Sequence, residues 1–281
     1  MLKGEFGFLC MSVCLESEYV KIYEKEGWTR EKYKEFLKKT GGFIPENGRA
    51  PQRIYDCPRN YSIEGDFLSQ DHIDFFVSCL GILFGVKLVS KKFSYVDNTN
   101  IIPLHIGFVE FSKKDYILLL DRIFIFYKNH SKTEYDKIEI IKNAIYMFFR
   151  AETKDNFLYE IFFLLYTGVD CCYKYFEKDK PGSVAILSYL CRKVGINSDD
   201  YINTIKYIAA IRNKMVHEGT FLGSYFAHKS VPEEMKKYRQ LAVVPFLNSL
   251  LVRLLFKMLN LSVAGFLIPT SLDVTVLTIE E

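Results

Sequence analysis

A chain of 281 residues, 49% apolar and 25% charged, has material for one large domain or two of ordinary size in a normal soluble composition. Its 37 basic and 34 acidic side chains leave a formal net charge of +3, which excludes a long-range field strong enough to dictate a nucleic-acid partner. The 24 Phe and 19 Tyr are read as core packing, and seven cysteines without a C-x-x-C pair predict a reduced, metal-free chain in the cytoplasm.

Near the N-terminus Glu5 interrupts a short apolar run and no cleavage-site pattern follows, so no secretory signal is expected. Thr29 is a candidate N-cap for a helix over residues 30–39, with Tyr33, Phe36 and Leu37 inward and Gly41 after its end. Residues 42–66, with Gly, three Pro and several polar side chains, predict a long loop. Ser69 is placed to cap a second helix that runs through Phe84 and stops at Gly85. Residues 86–96 and 104–111 predict two strands separated by a turn at Asp97-Asn98-Thr99-Asn100. Residues 116–127 are apolar enough for either state, with helix preferred.

From Ser131 onward the pattern is helix after helix. Ile138, Ile141, Ile145, Phe148 and Phe149 recur at helical spacing within residues 134–150. Residues 156–176 are apolar nearly all round, as in a central bundle helix. Pro181-Gly182 breaks the chain before a short helix over 183–194, stopped by Gly195. Asn197-Ser198-Asp199-Asp200 then offers an N-cap and first-turn acids for a helix running to Glu218. A fifth helix begins near Pro245, where Ser249, Arg253, Lys257 and Asn260 line one polar stripe and mark it as amphipathic. That stripe argues against a membrane span over residues 241–268, as Glu160 and Asp170 do for residues 157–176. The expected fold is mainly α: a mixed α/β domain over residues 1–128 and a helical bundle over 129–281.

Chemistry concentrates on the helix that ends at Glu218. In helical projection Tyr201, Ile205, Ile208, Ala209, Met215 and Val216 surround Arg212, which places a guanidinium in the middle of an apolar stripe. An unpaired charge there is costly, so a carboxylate, a phosphate or a second chain has to meet it. Asn213 and His217 are four apart and share the edge of that stripe. Arg offers a permanent charge shaped for phosphate oxygens, His moves protons near neutral pH, and Asn orients either by hydrogen bonding. His217 lies in the last turn, where the helix dipole favours the protonated imidazole and suits a general acid. A purely structural alternative stands beside this one: Asp170 or Glu160 neutralises Arg212, while Lys214 and His217 decorate a helix C-terminus. Ten Arg and five His make an R-x4-H spacing expected roughly 0.2 times by chance, so the spacing alone decides nothing.

The run Arg212-Asn213-Lys214-Met215-Val216-His217, followed by Gly219, resembles the R-N-x-x-x-H motif of the HEPN superfamily. The preceding Phe-rich helix and the apolar helix with Asp170 near its end resemble the same layout, with ApeA-like HEPN domains of bacterial defence proteins the nearest in kind. The likeness covers about residues 130–262 and leaves the N-terminal part, for which sensing or target recognition is the guess, without a counterpart. The resemblance implies a metal-independent endoribonuclease of cellular defence or growth arrest that needs no cofactor. It implies a homodimer through the motif helix, with catalytic Arg212, Asn213 and His217 supported by Asp170, and RNA products ending in 2′,3′-cyclic phosphate and 5′-OH. A regulatory or antitoxin partner fits the same picture. The alternative is an inactive HEPN scaffold that binds a partner protein or a nucleotide.

Other candidates carry less. His72, His105, His130 and His228 are read without a metal-type partner one turn away, and Gly81, Gly85 and Gly107 form no phosphate loop. Lys87, Lys91, Lys92 and Lys113-Lys114 are read as a solvated strand edge rather than an RNA track.

Overall fold

The computed structural model describes residues 1–7, 14–28, 30–40, 53–55, 59–90, 95–97, 113–151, 156, 158–179, 181–218 and 243–261. Helix dominates, as expected, and strands occur only in the first hundred residues of the described chain. Contacts divide the chain into two compact units: one takes the described residues up to Ile145, the other Tyr146–Ala151 and those from Asn156 onward.

The strands are β1 (Leu2–Phe6), β2 (Leu15–Glu16), β3 (Val20–Glu24), β4 (Arg53–Tyr55), β5 (Tyr61–Gly65) and β6 (Tyr95–Asp97). Four of them form an antiparallel sheet in the order β1-β5-β3-β2, while β4 and β6 pair by themselves. Period-two burial drives the larger sheet: Phe6, Val20, Ile22, Tyr61 and Ile63 all turn to the core, where the Phe6 and Tyr61 rings stack at 5.4 Å. The loop expected over residues 42–66 is therefore corrected at two places, because Arg53–Tyr55 pairs with β6 and Tyr61–Gly65 lies between β1 and β3. Of the strand expected over 86–96, residues 91–94 lie outside the described residues. In the described part 86–88 and 90 are not strand, Val89 forms an isolated bridge in which it and Gly7 exchange hydrogen bonds of 3.0 and 2.7 Å, and the end of the segment belongs to β6. Thr29, Gly41, the turn at Asn98 to Asn100 and the partner strand over 104–111 lie outside the described residues.

The helices of this unit are α1 (Arg30–Thr40), which touches β4, α2 (Gln70–Phe84) and α3 (Lys113–His130), which pack on the larger sheet, and the first part of α4 (Tyr135–Ala151). The caps of α2 are as the sequence predicts: Ser69 Oγ accepts from the His72 amide at 3.2 Å, and Gly85 takes φ 64° to end the helix. Directly inside the N-terminal cap, Asp71 accepts from Tyr127 (2.8 Å), Tyr135 (2.9 Å) and Lys142 (2.9 Å), which binds α2 to α3 and α4. Burial alone would raise the Asp71 pKa, but those three donors outweigh it and hold the carboxyl below its ordinary value. Next to it His72 is fully buried among aromatic rings, stacked on Tyr127 at 4.2 Å, while Nδ1 accepts from the Leu68 amide at 3.3 Å.

The second unit holds the end of α4 with α5 (Leu158–Phe176), α6 (Ser183–Lys193), α7 (Ile202–Glu218) and α8 (Val243–Met258), so the five helices expected after residue 130 are present. Their apolar periodicity is borne out, with Ile138, Ile141, Ile145, Phe148 and Phe149 all buried on α4. Helix α5 packs along α8, with α6 against both. Gly168 permits the close approach: a Cβ there would stand 2.9 Å from Leu251 Cδ2 and 3.3 Å from Met147 Cβ. The amphipathic reading of α8 is corrected, because Asn248 and Ser249 are buried and Arg253 is half-buried, its pKa lowered by desolvation. Lys257 is exposed, and Asn260 serves beyond the helix as a left-handed residue with φ 55°. The all-round apolar helix is thus α8, while α5 exposes 45% of Phe163.

The His72 environment makes stability pH-dependent. Burial pushes its imidazole down to about 4, against the opposing pull of the Phe124 backbone and the Asp71 charge. An unfolded His titrates near roughly 6.5, so over this window the unfolded chain binds a proton that the folded chain refuses. Stability of the first unit should fall as pH drops from about 6.5 to about 4, by up to on the order of 3 kcal/mol. His72→Phe, which keeps a ring in the box, should flatten that part of a denaturant-midpoint series. An unchanged slope in the variant would show that His72 is not the titrating group.

Candidate functional site

Helix α7 starts one turn later than the sequence suggests. Asn197 Oδ1 accepts from the Asp199 amide at 3.3 Å, but residues 198–201 form a turn that ends as the helix begins at Ile202. Asp199 and Asp200 therefore precede the helix rather than fill its first turn. The face that α7 buries carries Ile205, Ile208, Ala209 and Met215 as expected, extended by Tyr207 and Ile211. That extension shifts the buried face away from Arg212. The guanidinium stands on the shoulder of the stripe, half-buried, with Val216 beside it 48% exposed, so its position in the middle of the stripe is corrected.

Two contacts hold Arg212. Its Nη1 donates to Asn213 Oδ1 at 3.1 Å, and its guanidinium carbon lies 6.0 Å from the ring centroid of Tyr166 on α5. Tyr166 is only 5% exposed. Among the described residues, then, a neutral amide and a neutral ring meet the cation, where the structural alternative asks for the carboxylate of Asp170 or Glu160. Asp170 is half-buried one turn beyond Tyr166 and lines a shallow groove of about 290 Å³ with Tyr173, Lys174, Glu177, Lys178 and Asp179. The backbone of α7 is helical through Glu218, which puts position 217 one turn beyond Asn213 on the same face. The side chain of His217 lies outside the described residues.

The structure thus brings Arg212 and Asn213 together and adds Tyr166, which sequence reasoning assigned to the core with every other aromatic. No sequence signal separates a tyrosine that packs from one that packs under a cation.

Elsewhere, the buried thiols Cys79, Cys172 and Cys191 and half-buried Cys171 are poor nucleophiles: desolvation raises the pKa of Cys79, Cys171 and Cys172, and pushes Cys191 up to about 12. His130 does have a carboxylate one turn away, contrary to its sequence reading, and its Nε2 stands 3.4 Å from Glu134. Even so, no group of three His, Cys, Asp or Glu among the described residues is placed to hold a metal ion. No helix of the described residues is long and apolar enough to cross a membrane.

Comparison with known proteins finds no match to a family model, a curated protein or a solved structure. Function has to be argued from the chain's own residues.

A guanidinium on a shoulder, held by one ring and one amide, is not a pillar of the fold. Arg212→Ala should lower unfolding stability by no more than about 1 kcal/mol in urea denaturation, the order of an exposed cation–π contact. A loss above about 3 kcal/mol would instead mark a buried, structurally paired cation.

Proposed function

We propose that this protein is a metal-independent endoribonuclease of HEPN type, acting in cellular defence or growth arrest from the cytoplasm as a homodimer. One observation carries the reading: among the described residues an amide and a ring, and no carboxylate, meet Arg212 on α7, and its amide partner Asn213 stands one helical turn before the position of His217. A cation held in that way is prepared for an anion that arrives from outside.

In the proposed reaction the ribose 2′-OH attacks the adjacent phosphorus and loses its proton. The P–O5′ bond breaks, and the leaving 5′ oxygen takes up a proton. The products are a 2′,3′-cyclic phosphate and a 5′-OH, with no net change in atoms or charge. Arg212 neutralises the pentacoordinate phosphorane, His217 transfers one of the two protons, and Asn213 keeps the guanidinium oriented. The chain carries one R-N-x-x-x-H run, so a composite site needs a second copy. Exposed Val216, four residues beyond Arg212, and exposed Phe163 on α5 offer apolar surface for that copy to cover.

Three results are expected. Purified protein should cleave single-stranded RNA in excess EDTA, leave cyclic phosphate ends, and spare a substrate with deoxyribose at the cut site. His217→Ala should slow cleavage by roughly 100-fold or more while keeping the far-UV circular dichroism of the wild type. Light scattering should report twice the chain mass. If His217→Ala cleaves at the wild-type rate, or EDTA abolishes cleavage and magnesium restores it, the mechanism is wrong and a binding scaffold is the better reading.

A further inference from the structure

Helix α5 is among the best anchored elements of its unit. At Gly168 the Leu251 side chain of α8 packs on the α5 backbone, 2.9 Å from where a Cβ would stand, and Tyr175 OH donates to the Met258 carbonyl at 2.9 Å. Tyr166 sits two residues before that glycine, with the Phe162 ring stacked at 6.1 Å. Its position is set by packing that has nothing to do with Arg212, yet its ring lies under the guanidinium.

A ring differs from a carboxylate as a partner for a cation. It attracts the charge through its quadrupole but carries no net charge of its own, so it fixes the guanidinium without neutralising it. The Asn213 amide takes a bond from one Nη1 proton, and the rest of the five-donor fork stays available to phosphate oxygens. A long, flexible side chain is thereby held in one direction before the substrate arrives, which removes part of the ordering cost from the bound and transition states.

We propose that Tyr166 is a positioning residue that sets Arg212 for the RNA phosphate; the proposal rests on the ribonuclease reading above. Tyr166 touches no reacting atom and acts through Arg212 alone. Tyr166→Leu should then lower kcat by about tenfold or more with little change in KM, because the misplaced group acts on the phosphorane. Tyr166→Phe, which keeps the ring, should restore kcat to within about threefold of wild type. In an Arg212→Ala background, Tyr166→Leu should cost nothing further, as a double-mutant cycle requires of a residue that works through the other.

A spectroscopic readout separates failure of this proposal from failure of the ribonuclease reading. In proton–nitrogen spectra the Arg212 Hε resonance should lie upfield in wild type and Tyr166→Phe, and return to its ordinary position in Tyr166→Leu. Titration with a non-cleavable 2′-O-methyl oligonucleotide should shift that resonance in wild type and do so more weakly in Tyr166→Leu. Absence of the upfield position in wild type, or equal kcat in wild type and Tyr166→Leu, overturns the proposal. If wild type cleaves no RNA, the ribonuclease reading falls by itself. The positioning claim is then decided by the titration, where an unmoved Arg212 resonance overturns it and the expected difference supports it.

Discussion

The contact of α5 with α8 at Gly168 is what the second unit is built on. A methyl group at that point would stand 2.9 Å from Leu251 Cδ2 and 3.3 Å from Met147 Cβ, so the Leu251 side chain of α8 packs directly over the α5 backbone where a side chain is missing. Helix α8 is consequently buried on nearly every side and absorbs Asn248, Ser249 and half of Arg253 into the interior. Helix α6 lies against both, and α7 lies on α6 with Tyr201 reaching Phe246 at 5.6 Å. Ile205, Ile208, Ile211 and Met215 supply the buried face of α7, and half-buried Arg212 stands beside exposed Asn213 and Val216 on its other side. The candidate site is a by-product of a tightly closed core and a helix edge that no other described element closes.

The first unit solves a different problem. Its centre is not a glycine contact but a polar node inside an aromatic box, with Asp71 collecting three donors and neutral His72 stacked beside it. Each group is tolerable because the other surroundings are arranged for it: the carboxylate has its charge met by Lys142, and the imidazole stays uncharged. Such a node ties α2, α3 and the start of α4 into a defined arrangement that apolar packing alone specifies less sharply.

Much of this was legible in the sequence, and the failures have physical causes. The caps of α2 were readable because Ser69 and Gly85 act through local backbone geometry. Five helices from α4 to α8 were readable because apolar residues recur at helical spacing over long stretches. Strand β5 was hidden because five residues that follow three prolines and end on a glycine look like loop, and only pairing with β1 and β3 makes them a strand. The polar stripe of α8 misled because a spaced set of polar residues predicts a solvent face only when no neighbouring helix covers it. At the site, the grouping of Arg212 with Asn213 followed from adjacency, whereas the ring of Tyr166 lies on another helix 46 positions earlier in the chain, beyond the reach of periodicity.

What remains is whether the open ridge of α7 does chemistry, and the central claim is that an imidazole at position 217 moves a proton beside a charge held by Arg212. Chemical rescue addresses that claim at the reacting atom. Cleavage of a labelled single-stranded RNA by His217→Ala should rise with the concentration of added imidazole and yield the same 2′,3′-cyclic ends as wild type. A wild type that cleaves, paired with a His217→Ala variant whose rate ignores imidazole at every pH tested, would contradict it.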